Sequence, residues 1–214
     1  MGLCGYLKGL FIVLEGIDGS GKGAIAKRLY AYLARKFGSG NVIRTAEPTN
    51  SLYGRQAKEL QQSDESPDTN MERCLHLYVL DRVHHLANII EPKIQAGKIV
   101  ICERYKYSTL VYQSLQGIPF SHIVKLHSNM RAPDVAFVLD IDAGKAIKRI
   151  KKDKKRNNSF EKFEKPGFLR RARARFKQLP KLIPDERIIV VDADRKKEVV
   201  LKEIKQKMKE IYGF

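Results

Sequence analysis

The chemistry that this sequence can support is clearest in a glycine-rich segment close to its beginning. The spacing G-x-x-x-x-G-K is met by Gly16, Ile17, Asp18, Gly19, Ser20, Gly21 and Lys22, after which come Gly23 and Ala24. Glycines at this spacing let backbone N–H groups point inward at phosphate oxygens, and the lysine ammonium reaches the outer phosphates. The segment therefore predicts a nucleotide-binding loop at residues 16–24. The alternative is a glycine-rich turn that only connects a strand to a helix.

The residue that follows the lysine departs from the usual pattern. Ser or Thr normally occupies that position, where its hydroxyl helps to hold Mg²⁺, whereas this chain has Gly23. Mg²⁺ keeps several water ligands, so phosphates, water and a carboxylate from elsewhere in the chain could hold it instead. The sequence is equally compatible with slow turnover of a bound nucleotide and with a deliberate change of this residue.

Three polar clusters follow predicted strands or lie on a predicted helix. The segment Glu47-Pro48-Thr49 comes after the second strand, and Glu103-Arg104-Tyr105 comes after the third. Tyr78 and Arg82 lie one turn apart on a long helix. The carboxyl ends of parallel strands share one crevice, so we expect these clusters to meet the glycine-rich segment. An arginine among apolar neighbours needs an anionic partner, which favours a binding role for Arg82.

Short apolar runs alternate with helical patterns along the chain. Strands are predicted at residues 10–14, 41–45, 98–102, 135–141 and 187–191. Helices are predicted at residues 24–37, 51–62, 70–96, 106–116, 121–130, 143–152, 161–179 and 196–212, and Pro92 is expected to kink or fray the longest of them. This alternation predicts an α/β fold of three layers, with a five-stranded parallel sheet covered by helices on both faces. The length of 214 residues favours a single domain spanning 1–214.

The net charge of +17 favours a polyanionic partner, either nucleic acid or a phosphorylated small molecule. Most of the excess lies in residues 145–181, which form a strongly basic segment. No apolar run is long enough to predict a membrane span. Three cysteines without paired spacing indicate neither a disulfide framework nor a zinc site, and the cytoplasm is the expected setting.

The motifs LEGIDGSGKG, EPT, LYVLDR, ERYKYSTLVYQ, PDVAFVLD and VVDAD occur in this order along the chain. Together with the basic segment they resemble the thymidylate kinase family of P-loop nucleoside monophosphate kinases, from Phe11 to about Ile211. The resemblance implies transfer of the γ-phosphoryl group of ATP to dTMP, with Mg²⁺, in dTTP biosynthesis. It also implies a homodimer that acts on small nucleotides. With the cysteine, apolar and basic patterns described above, we expect a cytoplasmic protein with neither a membrane nor a stable nucleic-acid partner.

The resemblance implies a second pocket for the nucleotide that accepts the phosphoryl group. Asp18 would accept a hydrogen bond from the 3′-hydroxyl, Tyr78 would stack on thymine, and Arg104 would clamp the phosphate. Arg82 would bond to the base or the phosphate, and Gln113 would read the thymine edge. The remaining substrate-binding candidates are Glu47, Pro48, Ser108, Thr109 and, in the helix after the Glu-Pro segment, either Arg55 or Lys58.

The catalytic roles implied by the resemblance fall on charged side chains. The catalytic candidates are Lys22, Glu103, Arg104, Arg149 and Arg156, the last two lying in a basic lid at about residues 148–165. Some family members carry a catalytic arginine where this chain has Gly19, so here the lid is expected to supply it. Arg149 is alternatively expected to stack on adenine, next to Asp192 and Ala193. Glu103 replaces the usual Asp and is the candidate metal ligand.

Other functions stay open on the sequence alone. The chain could phosphorylate another nucleoside monophosphate or a deoxynucleoside. The glycine at position 23 would also fit a nucleotide-binding protein with weak turnover. A third alternative is a polyanion-binding protein that uses the basic segment, although that segment lacks the interleaved aromatic residues expected of a single-strand binder.

Overall fold

The fold is built on five parallel strands, and the computed structural model describes residues 9–62, 70–152 and 165–214. The strands are β1 (Leu10–Glu15), β2 (Val42–Ala46), β3 (Ile99–Glu103), β4 (Val135–Asp140) and β5 (Ile188–Asp192). Their order across the sheet is β2-β3-β1-β4-β5, and each neighbouring pair is parallel. The predicted α/β fold with a five-stranded parallel sheet is confirmed, and the strand bounds shift by about one residue.

Helices connect the strands and cover both faces of the sheet. In the described part of the chain they are α1 (Lys22–Phe37), α2 (Leu52–Gln62), α3 (Met71–His85), α4 (Glu91–Gln95), α5 (Lys106–Leu115), α6 (Phe120–Leu126), α7 (Ala143–Lys152), α8 (Pro166–Leu182) and α9 (Lys197–Tyr212). Alternate residues of β1 belong to two separate cores. Phe11 and Val13 lie in the core with residues of α3, α5 and α8, whereas Ile12 and Leu14 lie in the core with α1 and α9.

The long helix predicted at residues 70–96 is interrupted before its proline. Between α3 and α4, residues Leu86–Ile90 form a wider turn of π type, in which the N–H of Glu91 bonds to the carbonyl of Leu86. Pro92 follows in the first turn of α4, and the wider turn includes Asn88, the residue four positions earlier whose carbonyl a proline in a regular helix would meet. The irregularity therefore lies in the turn directly before Pro92.

Two other helix ends differ from the predicted ones. The helix predicted at 121–130 ends at Leu126, because His127, Ser128 and Met130 bond three residues back instead of four. The helix predicted to end at 179 continues to Leu182 through Pro180, which lies in its last turn. Residues 161–164 of that prediction, and residues 153–164 of the predicted lid, lie outside the described part of the chain. Among the described helices, none has the length and apolar character needed to cross a bilayer.

Candidate active site

The loop between β1 and α1, residues 16–21, lies close against the backbone of two neighbouring elements. Its glycines Gly16, Gly19 and Gly21 all have positive φ. A Cβ on Gly16 would lie 2.6 Å from the carbonyl oxygen of Leu139, and one on Gly19 would lie 2.4 Å from that of Ala146. Both positions therefore exclude any side chain. An arginine at position 19 therefore has no room in this structure.

Lys22 begins α1 and turns its ammonium back over this loop. Its Nζ donates to the carbonyl oxygens of Gly16 at 2.9 Å and Ile17 at 3.0 Å. Burial, and secondly the charge of Arg104, lowers the pKa of Lys22 to about 8, because the nearby carboxylates do not fully offset them. The positive charge of the ammonium is thus only partly balanced by nearby carboxylates. Such a group is expected to bind a phosphate strongly.

Glu15, the last residue of β1, ties this loop to the beginning of α5. Its carboxylate is fully buried and accepts hydrogen bonds from the backbone N–H groups of Tyr105 at 2.8 Å and Ser108 at 3.1 Å, and from the Ser108 hydroxyl at 2.7 Å. Burial raises the pKa of Glu15, although these bonds oppose the effect. Glu15 was not among the predicted site residues, and the available signal was a charge at the end of an apolar strand.

Arg104 follows β3 in a left-handed backbone conformation, with φ of 68°. For a non-glycine residue this conformation costs on the order of 1–3 kcal/mol, and such strain clusters at functional sites. Its guanidinium pairs with Asp18 and donates to the Ser108 hydroxyl at 3.3 Å. Burial alone would lower the pKa of Arg104, but the Asp18 carboxylate outweighs it and raises the pKa. The Tyr112 hydroxyl also donates to Asp18, at 3.2 Å.

Arg82 is buried and is held by side chains from three other segments. Its Nε donates to Glu47 at 2.8 Å, its NH1 group to Nε2 of His127 at 2.6 Å, and its NH2 group to the Thr109 hydroxyl at 3.2 Å. The anionic partner expected for this arginine is therefore the protein's own Glu47. His85 donates to the other oxygen of Glu47 at 3.0 Å. These five residues are called the Arg82 cluster below.

His127 is an uncharged member of the Arg82 cluster. Its Nδ1 lies 2.7 Å from the carbonyl oxygen of Ile123, which can only accept, so Nδ1 carries the proton and Nε2 accepts from Arg82. Burial, followed by the charge of Arg82, lowers the pKa of His127 to about 3. Neither His127 nor His85 was predicted, because a lone histidine in a sequence gives no sign of which distant residue it contacts.

A cavity of about 270 Å³ opens beside these groups, and we call it the polar cavity. It is lined by Asp18, Glu47, Pro48, Lys58, Gln61, Tyr78, Asp81, Arg82, Arg104, Tyr105, Ser108, Thr109, Tyr112 and Gln113. Every predicted substrate-binding residue except Arg55 is among them. Arg55 instead donates to the carbonyl oxygen of Asn50 at 2.6 Å and is exposed. The structure thus brings Lys58 to the cavity and leaves Arg55 outside it.

Several lining groups are already fixed by protein contacts. The Tyr78 hydroxyl donates to Gln61 at 2.6 Å, and the Gln113 amide donates to Gln116 at 3.1 Å. The carboxylate of Asp81 accepts from the Thr49 N–H at 2.7 Å and holds the segment that follows β2 against α3. The cavity is therefore preorganised before any ligand binds.

The other side of the loop carries the residues predicted to bind adenine. The NH2 group of Arg149 donates to the carbonyl oxygen of Ala193 at 3.4 Å, and its NH1 group lies 4.0 Å from the place that a Cβ on Gly21 would occupy. Asp192 is exposed, and its carboxylate accepts from the N–H of Asp194 at 2.9 Å. Arg149 and Ala193 therefore meet beside the loop, whereas Arg156 lies outside the described residues.

Known proteins resemble this chain along most of its length. The family model for thymidylate kinase matches residues 14–204. The chain belongs to the thymidylate kinase family. A probable thymidylate kinase of Staphylothermus marinus is 35% identical over 198 residues, covering 92% of this chain and 94% of that protein. One from Pyrococcus abyssi is 33% identical over 186 residues, covering 86% and 88%.

A solved structure supports the same assignment. The crystal structure of thymidylate kinase from Ehrlichia chaffeensis matches with a TM-score of 0.75 and 28% identity, and the match covers 94% of this chain and 98% of that chain. Membership of the thymidylate kinase family confirms that the chain is a nucleoside monophosphate kinase whose substrates are small nucleotides, with dTMP as the family's phosphate acceptor. The roles of individual residues stay predictions.

Within the described residues, one cluster of side chains and one separate carboxylate are considered as metal ligands in this member of the thymidylate kinase family. Glu47, His85 and Cys102 place ligand atoms within 4.8 Å of one another, but both oxygens of Glu47 already bond to Arg82 and His85. Glu103, at the end of β3, instead presents its carboxylate to Gly23 across the phosphate-binding loop. Carboxylate oxygens are the donors that Mg²⁺ prefers, so Glu103 is the better candidate.

Proposed function

We propose that this chain transfers the γ-phosphoryl group of ATP to dTMP, giving dTDP and ADP, and that Mg²⁺ takes part. The observation that carries the proposal is the pairing of Asp18 with Arg104. Asp18 belongs to the phosphate-binding loop, and both residues line the polar cavity. The Asp18–Arg104 pair therefore lies between a site for the phosphates of the donor and a site for a second nucleotide. Direct transfer of a phosphoryl group requires the two sites to be adjacent in this way.

The reaction needs positioning and positive charge and no covalent intermediate. Lys22 neutralises the transferred group, Arg104 holds the phosphate of dTMP, and the basic lid supplies further charge through Arg149 or Arg156. The acceptor phosphate is already anionic, so no strong base has to remove a proton. The lowered pKa of Lys22 supports its role, because a phosphate supplies the counter-charge that the ammonium lacks in the free protein.

The acceptor base is held by the end of the polar cavity that the Arg82 cluster forms. Arg82 is a donor in every protonation state, so it favours a carbonyl oxygen on the base over an amino group. The fixed amide of Gln113 reads the same edge of the base, and Tyr78 offers an aromatic face. At the other end, Asp18 accepts from the 3′-hydroxyl. This arrangement favours thymine over cytosine.

Mg²⁺ is assigned to Glu103 at the end of β3, and the adenine ring is assigned to the opposite side of the loop, beside the segment that follows β5. Glu103 would hold Mg²⁺ with phosphates and water, and the bound ion would neutralise charge on the phosphates during transfer. Arg149 would stack on adenine, with Asp192 and the carbonyl group of Ala193 beside it. The contact between Arg149 and Ala193 supports this assignment, since it keeps the planar guanidinium next to the loop.

We also propose that the chain forms a homodimer through α2 and α3. Leu52 on α2 is 57% exposed, and Leu80 and Val83 on α3 are 44% and 49% exposed. Exposed apolar side chains on two helices that pack together favour a protein contact. Light scattering of the wild type and of Val83→Glu tests this, and a monomeric wild type would contradict it. A cytoplasmic location stays a prediction, supported by the free thiols of Cys74 and Cys102.

The decisive experiment measures ADP release with ATP, Mg²⁺ and a panel of acceptors: dTMP, dUMP, dCMP, dGMP and thymidine. We expect the largest kcat/KM with dTMP. A preference for another acceptor would replace the proposed substrate. Tight ATP binding without turnover would favour a nucleotide-binding protein, and steeply salt-dependent binding of DNA would favour the polyanion-binding alternative.

A further inference from the structure

Two unusual residues of this chain lie on opposite sides of one contact. Gly23, where Ser or Thr is usual, is near the start of α1, and Glu103, where Asp is usual, ends β3. A Cβ on Gly23 would lie 3.1 Å from Oε2 of Glu103, 3.5 Å from Oε1 and 3.7 Å from Cδ. The carboxylate therefore stands in the space into which the side chain of a serine or threonine at position 23 would project.

The smaller residue at position 23 and the longer residue at position 103 compensate each other in size. Replacing Ser by Gly removes a methylene and a hydroxyl from α1, and replacing Asp by Glu adds a methylene on β3. With an aspartate at position 103, the carboxylate would withdraw from Gly23 by about one C–C bond, ~1.5 Å. With a serine at position 23, the Glu103 carboxylate would have to move, because 3.1 Å is closer than a Cβ normally approaches another heavy atom.

The carboxylate of Glu103 is also available for a ligand. In the described part of the chain it forms no hydrogen bond and no ion pair, although it is half-buried. Arg104, the adjacent residue, directs its guanidinium to Asp18 instead, and Lys22 directs its ammonium to the loop carbonyls. An ionised carboxylate can only accept hydrogen bonds or bind cations, and its partial burial without a partner favours a cation.

We propose that Glu103 supplies, from β3, the oxygen ligand for the divalent cation that the missing hydroxyl at position 23 would have supplied from α1. Gly23 and Glu103 then form one functional unit, in which the glycine makes the room that the longer carboxylate fills. The inference rests on the proposed function to the extent that an ATP-type nucleotide binds with a cation at this loop. It does not depend on which acceptor the enzyme uses.

The proposal predicts that the two positions are strongly coupled. Glu103→Asp alone leaves a gap beside Gly23, and Gly23→Ser alone pushes the carboxylate aside, so each change weakens cation binding. In the double variant, Gly23→Ser adds a hydroxyl oxygen on α1, and Glu103→Asp shortens the carboxylate so that the serine side chain fits. Residues that share a contact or a ligand are expected to show non-additivity, whereas distant independent residues are not.

The test measures ADP affinity calorimetrically, with Mg²⁺ and with EDTA, in four proteins: wild type, both single variants and the double variant. The ratio of the ADP affinity in Mg²⁺ to the ADP affinity in EDTA measures the contribution of the cation, and it requires no turnover. We expect each single variant to lose about 10-fold in this ratio. The double variant should return to within about 3-fold of the wild type, since the exchange is compensated. Mn²⁺ in place of Mg²⁺ gives an independent spectroscopic readout of the bound ion.

Two controls separate the proposal from damage to the loop. Glu103→Gln keeps the length of the side chain and removes its charge, so it should lose the cation effect while its melting temperature and its ADP affinity in EDTA stay unchanged. Wild-type affinity ratios in Glu103→Asp, or losses that simply add in the double variant, would overturn the proposal. Failure to phosphorylate dTMP, with the coupling intact, would refute the proposed acceptor and leave this inference standing.

Discussion

The phosphate-binding loop and the polar cavity are neighbouring sites that are built in different ways. The loop, residues 16–21, is one continuous segment whose backbone is expected to do most of the phosphate binding, and its shape depends on Gly16 and Gly19, which neighbouring carbonyl groups leave no room to replace. The polar cavity is built from side chains of α2, α3, α5 and the segments after β1, β2 and β3. The first site is therefore formed mostly by local backbone geometry, whereas the second depends on side-chain contacts between segments far apart in the chain.

The strongest test of the loop is Lys22→Met, which removes the ammonium and keeps an apolar stem. We expect kcat to fall by about 10²–10³-fold, as when a single preorganised charge or donor is removed from a transition state. Affinity for dTMP should change far less, because Lys22 does not line the polar cavity and acts on it only through its charge near Arg104 and Asp18. Steady-state kinetics and calorimetry measure the two effects. Lys27→Met, an exposed lysine of the same helix, is the matched control.

The strongest test of the cavity is Glu47→Gln, which leaves Arg82 buried without its anionic partner. Breaking a buried ion pair on one side costs about 3–5 kcal/mol of unfolding free energy. Urea denaturation measures this loss of unfolding free energy. The control is Arg28→Ala, which breaks an exposed ion pair with Glu198. An equally large loss in the control would show that the burial of the Arg82–Glu47 pair does not explain the effect. The loop variant Lys22→Met should lose far less stability.

His127 sharpens the comparison because it acts on the cavity through Arg82 alone. His127→Leu should raise KM for dTMP about 10-fold with little change in KM for ATP, since a hydrogen bond to a charged group contributes about 1.5–3 kcal/mol. His127→Gln, which keeps an acceptor, should recover most of this loss. Equal changes in both KM values, or no rescue by Gln, would show that His127 only fills space.

The same histidine gives a pH dependence with a definite sign. The pKa of His127 is about 3 in the folded protein, below its ordinary value of 6.5, so the folded state favours the neutral form. Its contribution to stability is present above pH 6.5 and is lost as the pH falls toward 3. Chemical denaturation at several pH values should show less acid sensitivity in His127→Gln than in the wild type.

The loop should respond to alkaline pH instead. Lys22, with a pKa of about 8 in the free protein, must carry its proton to bind phosphate, and a bound phosphate raises that pKa. Affinity for ADP should therefore be constant below about pH 8 and should fall by up to about 10-fold for each pH unit above it. Lys22→Arg should abolish this dependence, because arginine stays protonated. Calorimetry in two buffers at about pH 8.5 would also detect proton uptake.

The smallest expected effect is a difference between two basic residues of α2, Lys58 and Arg55. Lys58→Ala should raise KM for dTMP by about 3-fold, the size of a solvated ion pair, because Lys58 lines the polar cavity. Arg55→Ala should leave KM for dTMP unchanged, because Arg55 bonds to the backbone of Asn50 outside the cavity. A reversed pattern would show that α2 moves when dTMP binds.

The two sites also differ in how far sequence could predict them. The loop could be read directly, because the residues that form it are consecutive and its flanking strand and helix have clear periodicity. The candidates Arg82, Arg104 and Asp18 came from ordered motifs, and the structure brings them to one cavity. Glu15 and His127 could not be found in this way. Their partners Ser108 and Arg82 lie far along the chain, so only the folded sheet reveals the contacts.

Local irregularities mark the other limit of sequence reasoning. The π-type turn at Leu86–Ile90 contains neither glycine nor proline, and the helical pattern continues through it. The signal for a break was Pro92, which is accommodated in the first turn of α4. Whether Gly23 implied a lost ligand or a relocated one could not be decided either, because the answer depends on how far Glu103 reaches across the loop.

The enclosure of Arg82 has a consequence for selectivity. Its guanidinium gives up its hydration shell and its rotational freedom when the chain folds, and Glu47 and His127 stabilise it in that state. In the proposed function, an arriving base would meet a donor that is already desolvated and oriented, so discrimination would require no reorganisation at the moment of encounter. On that proposal, selectivity for the base would be set during folding, before any nucleotide arrives.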